Sequence, residues 1–233
     1  MSVKRELIKG TLILTAAGFA ARLLGFFNRV YLANLISNAE LGRYQLIFPI
    51  FMFCMAVSCA GIQVAVSKMV AAYHGAGKKK AIRQTIKSAG ITSLIVALLS
   101  SGCVIAFSEP ISRWILKDIS CRGYLVIMAI AIPFAAVHTC VGGYFYGIRH
   151  TAVPAVTQLL EQVVRVVTIY LLGAMMYQKG KIDASVAVWG LAAGEIFSCF
   201  LTWICYRFSI RSQNGGSGSG EPIRKILRQL WQY

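Results

Sequence analysis

The stretch YLVIMAIAIPFAAVHTCVGGYFY, residues 124–146, decides the fold class of this chain. It contains no aspartate, glutamate, lysine or arginine. A helix of about 20 apolar residues crosses the hydrocarbon core of a bilayer, because that core is about 30 Å thick and each residue rises about 1.5 Å. The stretch therefore predicts a transmembrane helix.

Five further stretches meet the same requirements of length and polarity. The six predicted spans cover approximately residues 8–32, 44–70, 86–107, 124–146, 153–177 and 186–206. The first is too long for a cleaved signal peptide and holds two arginines, so we expect it to stay in the mature protein. Most connections are short, which predicts antiparallel packing of neighbouring helices. Residues 1–211 are thus predicted to form an all-α integral membrane protein, a bundle of six transmembrane helices.

The composition supports this class and excludes others. The 233 residues are 57% hydrophobic and 14% charged, with a mean hydropathy of +0.65, whereas soluble domains carry about 25% charged residues. The net charge of +16 arises from basic residues between long apolar runs, so we expect no nucleic-acid partner. The seven cysteines and three scattered histidines show no ligand spacing, and no catalytic constellation is present. We therefore expect no metal, no cofactor and no enzymatic activity.

Alternate loops differ in their basic residues, and this difference predicts the orientation of the chain. Fourteen Lys and Arg lie in the N-terminal tail, the loops after spans two and four, and the segment after span six, against six in the other loops. Lys and Arg accumulate on the cytoplasmic side of a membrane. We therefore expect a multi-pass protein of the cell membrane with both termini in the cytoplasm.

The chain changes character after the sixth span. Residues 212–220 are rich in glycine and serine and predict a flexible linker. In residues 221–233 apolar residues recur at helical spacing opposite basic ones, which predicts an amphipathic helix on the anionic cytoplasmic leaflet. The alternative is that this helix is the entrance to another element. Either way, we expect the chain to be part of a longer protein.

When Lys9 and Lys87 at the span ends are counted with the loops, six charged residues lie inside the predicted spans, and function is expected among them. They are Arg22, Arg29, Lys68, Glu161, Arg165 and Glu195. Each costs about 2.5–3.5 kcal/mol at the centre of a helix unless a cavity or a partner receives it. Lys68 lies near the end of span two, where we expect its long side chain to reach the interface.

A stripe of small, polar and cationic residues runs along span one. It comprises Thr11, Thr15, Gly18, Arg22, Gly25 and Arg29. Residues separated by alternating intervals of four and three share one face of a helix. The stripe predicts the wall of a positively charged, water-filled cleft. The alternatives are that Arg29 reaches the outer interface and that Arg22 pairs with an acid on a neighbouring helix.

Spans five and six carry the acidic candidates. Glu161 precedes Arg165 by one helical turn, which is the favourable order for an intrahelical ion pair. The pair is either neutral and structural, or a switch in which Arg165 moves between Glu161 and a ligand anion. Glu195 lies near the centre of span six and is a candidate partner of Arg22, or a site for a proton or cation.

Five short sequences together resemble one transporter family. They are ARLLGFFNR at 21–29, ELGRYQ at 40–45, AGIQVAVSK at 60–68, GYFYG at 143–147 and QLLEQVVR at 158–165. In this order they are similar to the polysaccharide and lipid II flippase branch of the MOP superfamily, also called MVF or MATE-like exporters. The chain departs from that branch at Gln63, where the family more often has proline, and in length, since members have two six-helix lobes. The resemblance implies the N-terminal lobe of a MATE-like transporter.

The resemblance also implies a substrate and partners. Members of this branch move undecaprenyl-pyrophosphate-linked oligosaccharides or lipid II type precursors from the inner to the outer leaflet, for cell-wall, spore-cortex or polysaccharide synthesis. Arg22 and Arg29 match the family's cavity arginines, which implies that they hold the pyrophosphate. A second lobe, or another copy of the chain, is then needed. Two alternatives stay open: a cation-coupled multidrug exporter that uses Glu161 or Glu195, and a non-transporting membrane scaffold in spore-envelope assembly.

Overall fold

The computed structural model describes residues 3–177 and 182–212, and within these ranges every regular element is a helix. Two short π-helical segments are called the first and the second π turn. The elements are α1 (Val3–Leu35), α2 (Asn38–Met55), the first π turn (Ala56–Ala60), α3 (Gly61–Gly75), α4 (Lys79–Ala106), α5 (Ser108–Pro110), the second π turn (Ile111–Ile115), α6 (Cys121–Gly147), α7 (Ala152–Tyr177) and α8 (Ser185–Ser212).

Five helical segments of the described chain are long and apolar enough to cross a membrane. They are Asn38–Gly75, Lys79–Ala106, Cys121–Gly147, Ala152–Met176 and Ser185–Ile210. Predicted spans two to six fall on these segments, which confirms the all-helical, multi-pass fold class. Helix α1 covers the first predicted span without being one of the five, so the total of six stays a prediction. The predicted amphipathic helix at 221–233 and nearly all of the predicted linker lie outside the described residues.

Helix α6 lies at the centre of the bundle, because it packs against α2, α3, α4 and α8. Its side chains Leu125, Met128 and Ile132 are at most 1% exposed. A helix that is apolar on all sides is expected to be surrounded by other helices. Helix α8 in turn packs against α7, and α7 packs against α1. The order across the bundle therefore runs from α4 through α6, α8 and α7 to α1.

The close approach of α8 to α7 depends on two glycines that are one helical turn apart. A Cβ atom at Gly194 would lie 3.2 Å from the carbonyl oxygen of Glu161, and a Cβ atom at Gly190 would overlap the side chain of Ile169. Small residues at this spacing let helices in a bilayer approach closely. The glycine pair therefore brings Glu195, the residue after Gly194, up against α7.

A polar network ties together the end of the bundle at which α2, α6 and α8 begin. Glu40 accepts hydrogen bonds from the Tyr124 hydroxyl at 2.8 Å and from the backbone N–H of Ala184 at 3.0 Å, and it also pairs with Arg43. Arg43 donates a hydrogen bond to Asp118 at 2.7 Å. This bond is the main reason that the pKa of the Asp118 carboxyl lies below its usual range. The network holds the starts of these three helices at one level.

We expect Gly190→Ala to lower the melting temperature of the chain in detergent, because the added methyl group overlaps Ile169. Overpacking of this kind costs about 1–3 kcal/mol. Each kcal/mol corresponds to about 2–4 °C in a chain of this size.

The matched control is Gly102→Ala on α4, where a Cβ atom meets nothing within 4 Å. Alanine there should leave the melting temperature unchanged or slightly raised, because alanine is the better helix former. Equal melting temperatures for the Gly190 and Gly102 variants would contradict the close packing of α7 and α8.

Candidate functional site

A cleft of about 580 Å³ opens between α1, α2 and α7. Arg22 and Arg29 of α1 and Arg165 of α7 line it, together with the side-chain amides of Gln158 and Gln162. The described residues that line the cleft include no acid. Guanidinium and amide groups are hydrogen-bond donors, and arginine in particular matches the oxygens of phosphates and carboxylates. The cleft is therefore suited to an anion.

Part of the stripe predicted along span one lies on this cleft. Arg22, Gly25 and Arg29 line it, and the two arginines stand about 10 Å apart along the helix axis because seven residues separate them. Neither arginine forms an ion pair with any side chain that the structure describes. The remaining members of the stripe are not among the lining residues: Thr11, Thr15 and Gly18.

Three helices bring four titratable side chains together beside the cleft. Arg165 Nη2 on α7 lies 2.8 Å from Glu161 Oε1 and 3.5 Å from Glu195 Oε1 of α8. His138 Nε2 on α6 lies 3.2 Å from Glu195 Oε2. Glu161 and Glu195 are only 8% and 6% exposed, so both carboxylates are nearly removed from solvent. We call His138, Glu161, Arg165 and Glu195 the carboxylate cluster.

The charges of the carboxylate cluster are not balanced by arginine alone. Two carboxylates face one guanidinium, and a buried charge without a partner is costly. His138 supplies a second positive charge only when it is protonated. Its 3.2 Å contact with Glu195 is not aligned as a hydrogen bond, so Glu195 Oε2 has no hydrogen-bond donor within the described chain.

The same side chains form a possible ligand set. One ligand atom from each of His138, Glu161 and Glu195 lies within 4.8 Å of the other two. At this spacing the imidazole and the carboxylates can share a proton or hold a small cation. Either would neutralise the excess negative charge of the carboxylate cluster. The Ser198 hydroxyl, which donates to Glu161 Oε2 at 3.3 Å, adds a further oxygen at this place.

A second cavity, of about 200 Å³, lies between α3, α6, α7 and α8. His138 and Glu161 line this second cavity, whereas Arg165 lines the cleft. Gln158 lines both spaces. The ion pair of Glu161 and Arg165 therefore stands between two cavities, with the acid facing one and the base facing the other.

Sequence reasoning anticipated only part of the carboxylate cluster. The spacing of Glu161 and Arg165 predicted their contact, which the structure shows at 2.8 Å. Of the two roles left open for Glu195, the pairing with Arg22 is not seen, because Glu195 contacts Arg165 and His138. Its role as a site for a proton or cation stays a prediction. The prediction that no histidine has a ligand partner is also wrong at His138, which lies close to Glu161 and Glu195. The one signal in the sequence was a titratable residue in the middle of the most apolar span.

The chain is similar to curated proteins of Bacillus subtilis. It is 28% identical over 206 residues to stage V sporulation protein B, in an alignment that covers 88% of this chain and 40% of that protein. It is 25% identical over 252 residues to lipid II flippase MurJ, in an alignment that covers 98% of this chain and 45% of that protein. The chain thus spans less than half the length of these relatives.

Solved structures share the fold. A MOP superfamily transporter from Pyrococcus furiosus matches with a TM-score of 0.75 at 14% identity, over 98% of this chain and 50% of that chain. An outward-facing multidrug resistance transporter of the MATE family matches with a TM-score of 0.73 at 15% identity, over 98% of this chain and 51% of that chain. The helices described above are therefore arranged as in one half of these proteins.

Residues 7–233 match the family described as polysaccharide biosynthesis protein. This match spans almost the whole chain and confirms the resemblance inferred from the five short sequences. The functions in the names of its relatives are lipid flipping and drug transport, which are not enzymatic and agree with the expectation that the chain is not an enzyme. The chain belongs to the polysaccharide biosynthesis protein family and has the fold of one half of a MOP superfamily transporter.

Proposed function

We propose that this chain is one lobe of a flippase that moves an undecaprenyl-pyrophosphate-linked oligosaccharide, or a lipid II type precursor, from the inner to the outer leaflet. The observation that carries the proposal is the cleft, with Arg22, Arg29 and Arg165 and no acid among its described lining. A pyrophosphate inside a membrane needs cations that are already held in place, and the guanidinium fork binds two phosphate oxygens at once. The oligosaccharide follows the pyrophosphate, and the lipid tail stays in the bilayer.

The relatives support this class of substrate. One relative is named lipid II flippase, and the family carries the description polysaccharide biosynthesis protein. The surplus of Lys and Arg in alternate loops supports an orientation with both termini in the cytoplasm. In that orientation the N-terminal end of α1 faces the compartment in which such precursors are made.

A second lobe is part of the proposal. Transporters of this architecture expose a central site alternately to the two sides by rocking one half against the other. The chain covers 40% and 45% of the lengths of the two curated relatives. The other half is the remainder of a longer chain, a separate chain or a second copy, and the cleft between α1, α2 and α7 faces it.

The pair of Glu161 and Arg165 acts as a switch in this proposal. Arg165 is held by Glu161 while the cleft holds no anion, and it turns to the pyrophosphate when the ligand enters. Glu161 then needs another positive charge. His138 and Glu195 meet that need by taking up a proton or a small cation, since their ligand atoms lie within 4.8 Å of those of Glu161. Binding in the cleft is thereby coupled to binding at the carboxylate cluster.

The carboxylate cluster also favours a second candidate, a cation-coupled multidrug exporter of the same superfamily. Such a transporter would use Glu161 or Glu195 as its ion site, and both are buried beside His138. The two candidates differ in what the cleft binds. A flippase binds an anionic headgroup there, whereas a multidrug exporter binds an organic cation.

We expect Arg22→Ala and Arg29→Ala each to weaken the binding of undecaprenyl pyrophosphate to the purified chain in nanodiscs by about 10-fold or more. A hydrogen bond to a charged group contributes about 1.5–3 kcal/mol, and 1.4 kcal/mol is a factor of about ten in affinity. Tryptophan fluorescence or calorimetric titration measures the dissociation constant. The matched control is Arg83→Ala, an exposed arginine on α4 that does not line the cleft.

Unchanged affinity in both folded cleft variants would exclude pyrophosphate recognition by these arginines. In cells that supply the second lobe, the same variants should reduce the exposure of lipid-linked precursor on the outer leaflet. If precursor exposure stays normal while efflux of a cationic drug depends on Glu195, the exporter candidate holds. If neither activity responds, the scaffold alternative holds.

We expect Glu161→Gln to strengthen the binding of undecaprenyl pyrophosphate by about 10-fold, a change of about 1.4 kcal/mol, because Arg165 loses its competing partner at 2.8 Å. Glu195→Gln should have a smaller effect, since Glu195 lies 3.5 Å from the same guanidinium nitrogen. The control is Glu109→Gln, a half-exposed acid that does not line the cleft. Weaker binding in a folded Glu161→Gln protein would show that the pair is structural and not a switch.

A further inference from the structure

The carboxylate cluster contains a buried oxygen that no group of the described chain satisfies. Glu195 is 6% exposed, and its Oε2 atom receives no hydrogen bond within the described residues. His138 Nε2 lies 3.2 Å from this oxygen, although the two atoms are not aligned as a hydrogen bond. A buried carboxylate oxygen without a partner is costly. Glu195 Oε2 is therefore available to a cation.

The distances in the carboxylate cluster fit a metal ion. Atoms bonded to a tetrahedral zinc ion at about 2.0–2.1 Å lie about 3.3–3.4 Å from one another. The distance of 3.2 Å between His138 Nε2 and Glu195 Oε2 is close to this value. A ligand atom of Glu161 completes a group of three atoms within 4.8 Å of one another. Two atoms whose lone pairs converge on one ion need not be aligned as donor and acceptor, which agrees with the contact between His138 and Glu195.

The types of ligand atom indicate the class of cation. Hard ions such as Mg²⁺ and Ca²⁺ take oxygen ligands, whereas an imidazole suits Zn²⁺ and other first-row transition metals. Histidine nitrogen and glutamate oxygen are both common zinc ligands. The sequence predicted no metal because these ligands have no regular spacing along the chain. They come instead from three helices, with His138 on α6, Glu161 on α7 and Glu195 on α8.

We propose that His138, Glu161 and Glu195 bind a divalent first-row transition metal, with Zn²⁺ as the representative ion. The fourth position is taken by a water molecule or by the Ser198 hydroxyl, which lies 3.3 Å from Glu161 Oε2. The metal site goes beyond the proposed function, which needs only a positive charge at this place and is satisfied by a proton.

The second cavity provides a route of entry for the ion. His138 and Glu161 line this cavity, and so do Tyr146 and Pro154, which lie close to the connection between α6 and α7. Its volume of about 200 Å³ is large enough for several water molecules, so a hydrated ion can approach the carboxylates. The cleft is a poor route, because a cation there meets three arginines first.

Metal binding changes the charge balance of the carboxylate cluster. A divalent ion neutralises both carboxylates while His138 stays neutral, so Arg165 loses the net negative charge that holds it at 2.8 Å from Glu161 and 3.5 Å from Glu195. The next step rests on the proposed function, in which the released Arg165 turns to the pyrophosphate in the cleft. The metal and the anionic ligand then strengthen each other's binding, because coupling between two sites is reciprocal.

The first experiment titrates Zn²⁺ into the purified chain in nanodiscs and measures the dissociation constant by calorimetry. We expect His138→Ala and Glu195→Gln each to weaken the binding of Zn²⁺ by about 100-fold or more, because loss of a residue that only orients a metal ligand already costs about 10–100-fold. The matched control is His150→Ala, an exposed histidine outside the carboxylate cluster, which should leave the affinity unchanged. Binding that persists in the folded His138 and Glu195 variants, or that Na⁺ abolishes, would overturn the metal site.

A second measurement keeps the inference testable if these variants fold poorly. X-ray absorption at the zinc edge is recorded on the unmodified chain loaded with one equivalent of Zn²⁺. We expect an imidazole nitrogen and oxygen atoms at about 2.0–2.2 Å from the metal, and no sulfur. Sulfur at about 2.3 Å would place the metal on the free cysteines and overturn the metal site.

The metal site and the proposed function fail in different ways. Zn²⁺ should strengthen the binding of undecaprenyl pyrophosphate by about 10-fold in the unmodified chain and not in Glu195→Gln, a comparison that also controls for chelation of Zn²⁺ by the pyrophosphate itself. Zn²⁺ that binds to the carboxylate cluster of a chain with no affinity for pyrophosphate contradicts the proposed function and leaves the metal site standing. A chain that binds no Zn²⁺, while its affinity for pyrophosphate still depends on Arg22, contradicts the metal site alone.

Discussion

The ion pair between Glu161 and Arg165 constrains the rest of the bundle. Removing one partner from a buried pair costs about 3–5 kcal/mol, because the other charge is left without compensation. The pair lies on α7, yet its second carboxylate comes from α8 and its histidine from α6. Three helices must therefore keep a fixed rotation and separation. Gly190 and Gly194 permit that separation, since a Cβ atom at Gly190 would overlap Ile169 and one at Gly194 would lie only 3.2 Å from the carbonyl oxygen of Glu161.

The sequence predicted the elements of this structure better than the contacts between them. Long apolar runs are sufficient to predict spanning helices, because the thickness of the bilayer sets their length. The contact of Glu161 with Arg165 was also predictable, since residues four apart on one helix always lie close together. The partner of Glu195 was not predictable in this way. It depends on how α6 and α8 are rotated about their axes, and a single apolar helix such as α6 carries little periodicity that reports its rotation.

The position of the ion pair between two cavities links the chemistry of both. Glu161 lines the second cavity with His138, and Arg165 lines the cleft with Arg22 and Arg29. An anion in the cleft and a proton or cation in the second cavity therefore act on the same pair from opposite sides. In the proposed function, each makes the other easier to bind, because together they replace the ion pair by two satisfied charges. This reciprocity is what coupling between two sites requires.

The order of charges from the cleft inward distinguishes an anionic ligand from a cationic one. A cation that enters the cleft meets the guanidinium groups of Arg22, Arg29 and Arg165 before it reaches either carboxylate. An anion meets the same groups as partners, and on a membrane helix that interaction offsets a cost of about 2.5–3.5 kcal/mol for each unpaired arginine. The Glu161 carboxylate is reached from the second cavity, which His138 also lines, so a coupling cation would approach it from that side. The carboxylate cluster can thus take part in cation coupling while the cleft remains unsuited to a cationic drug. The reason is that Arg165 lies between the cleft and the carboxylates.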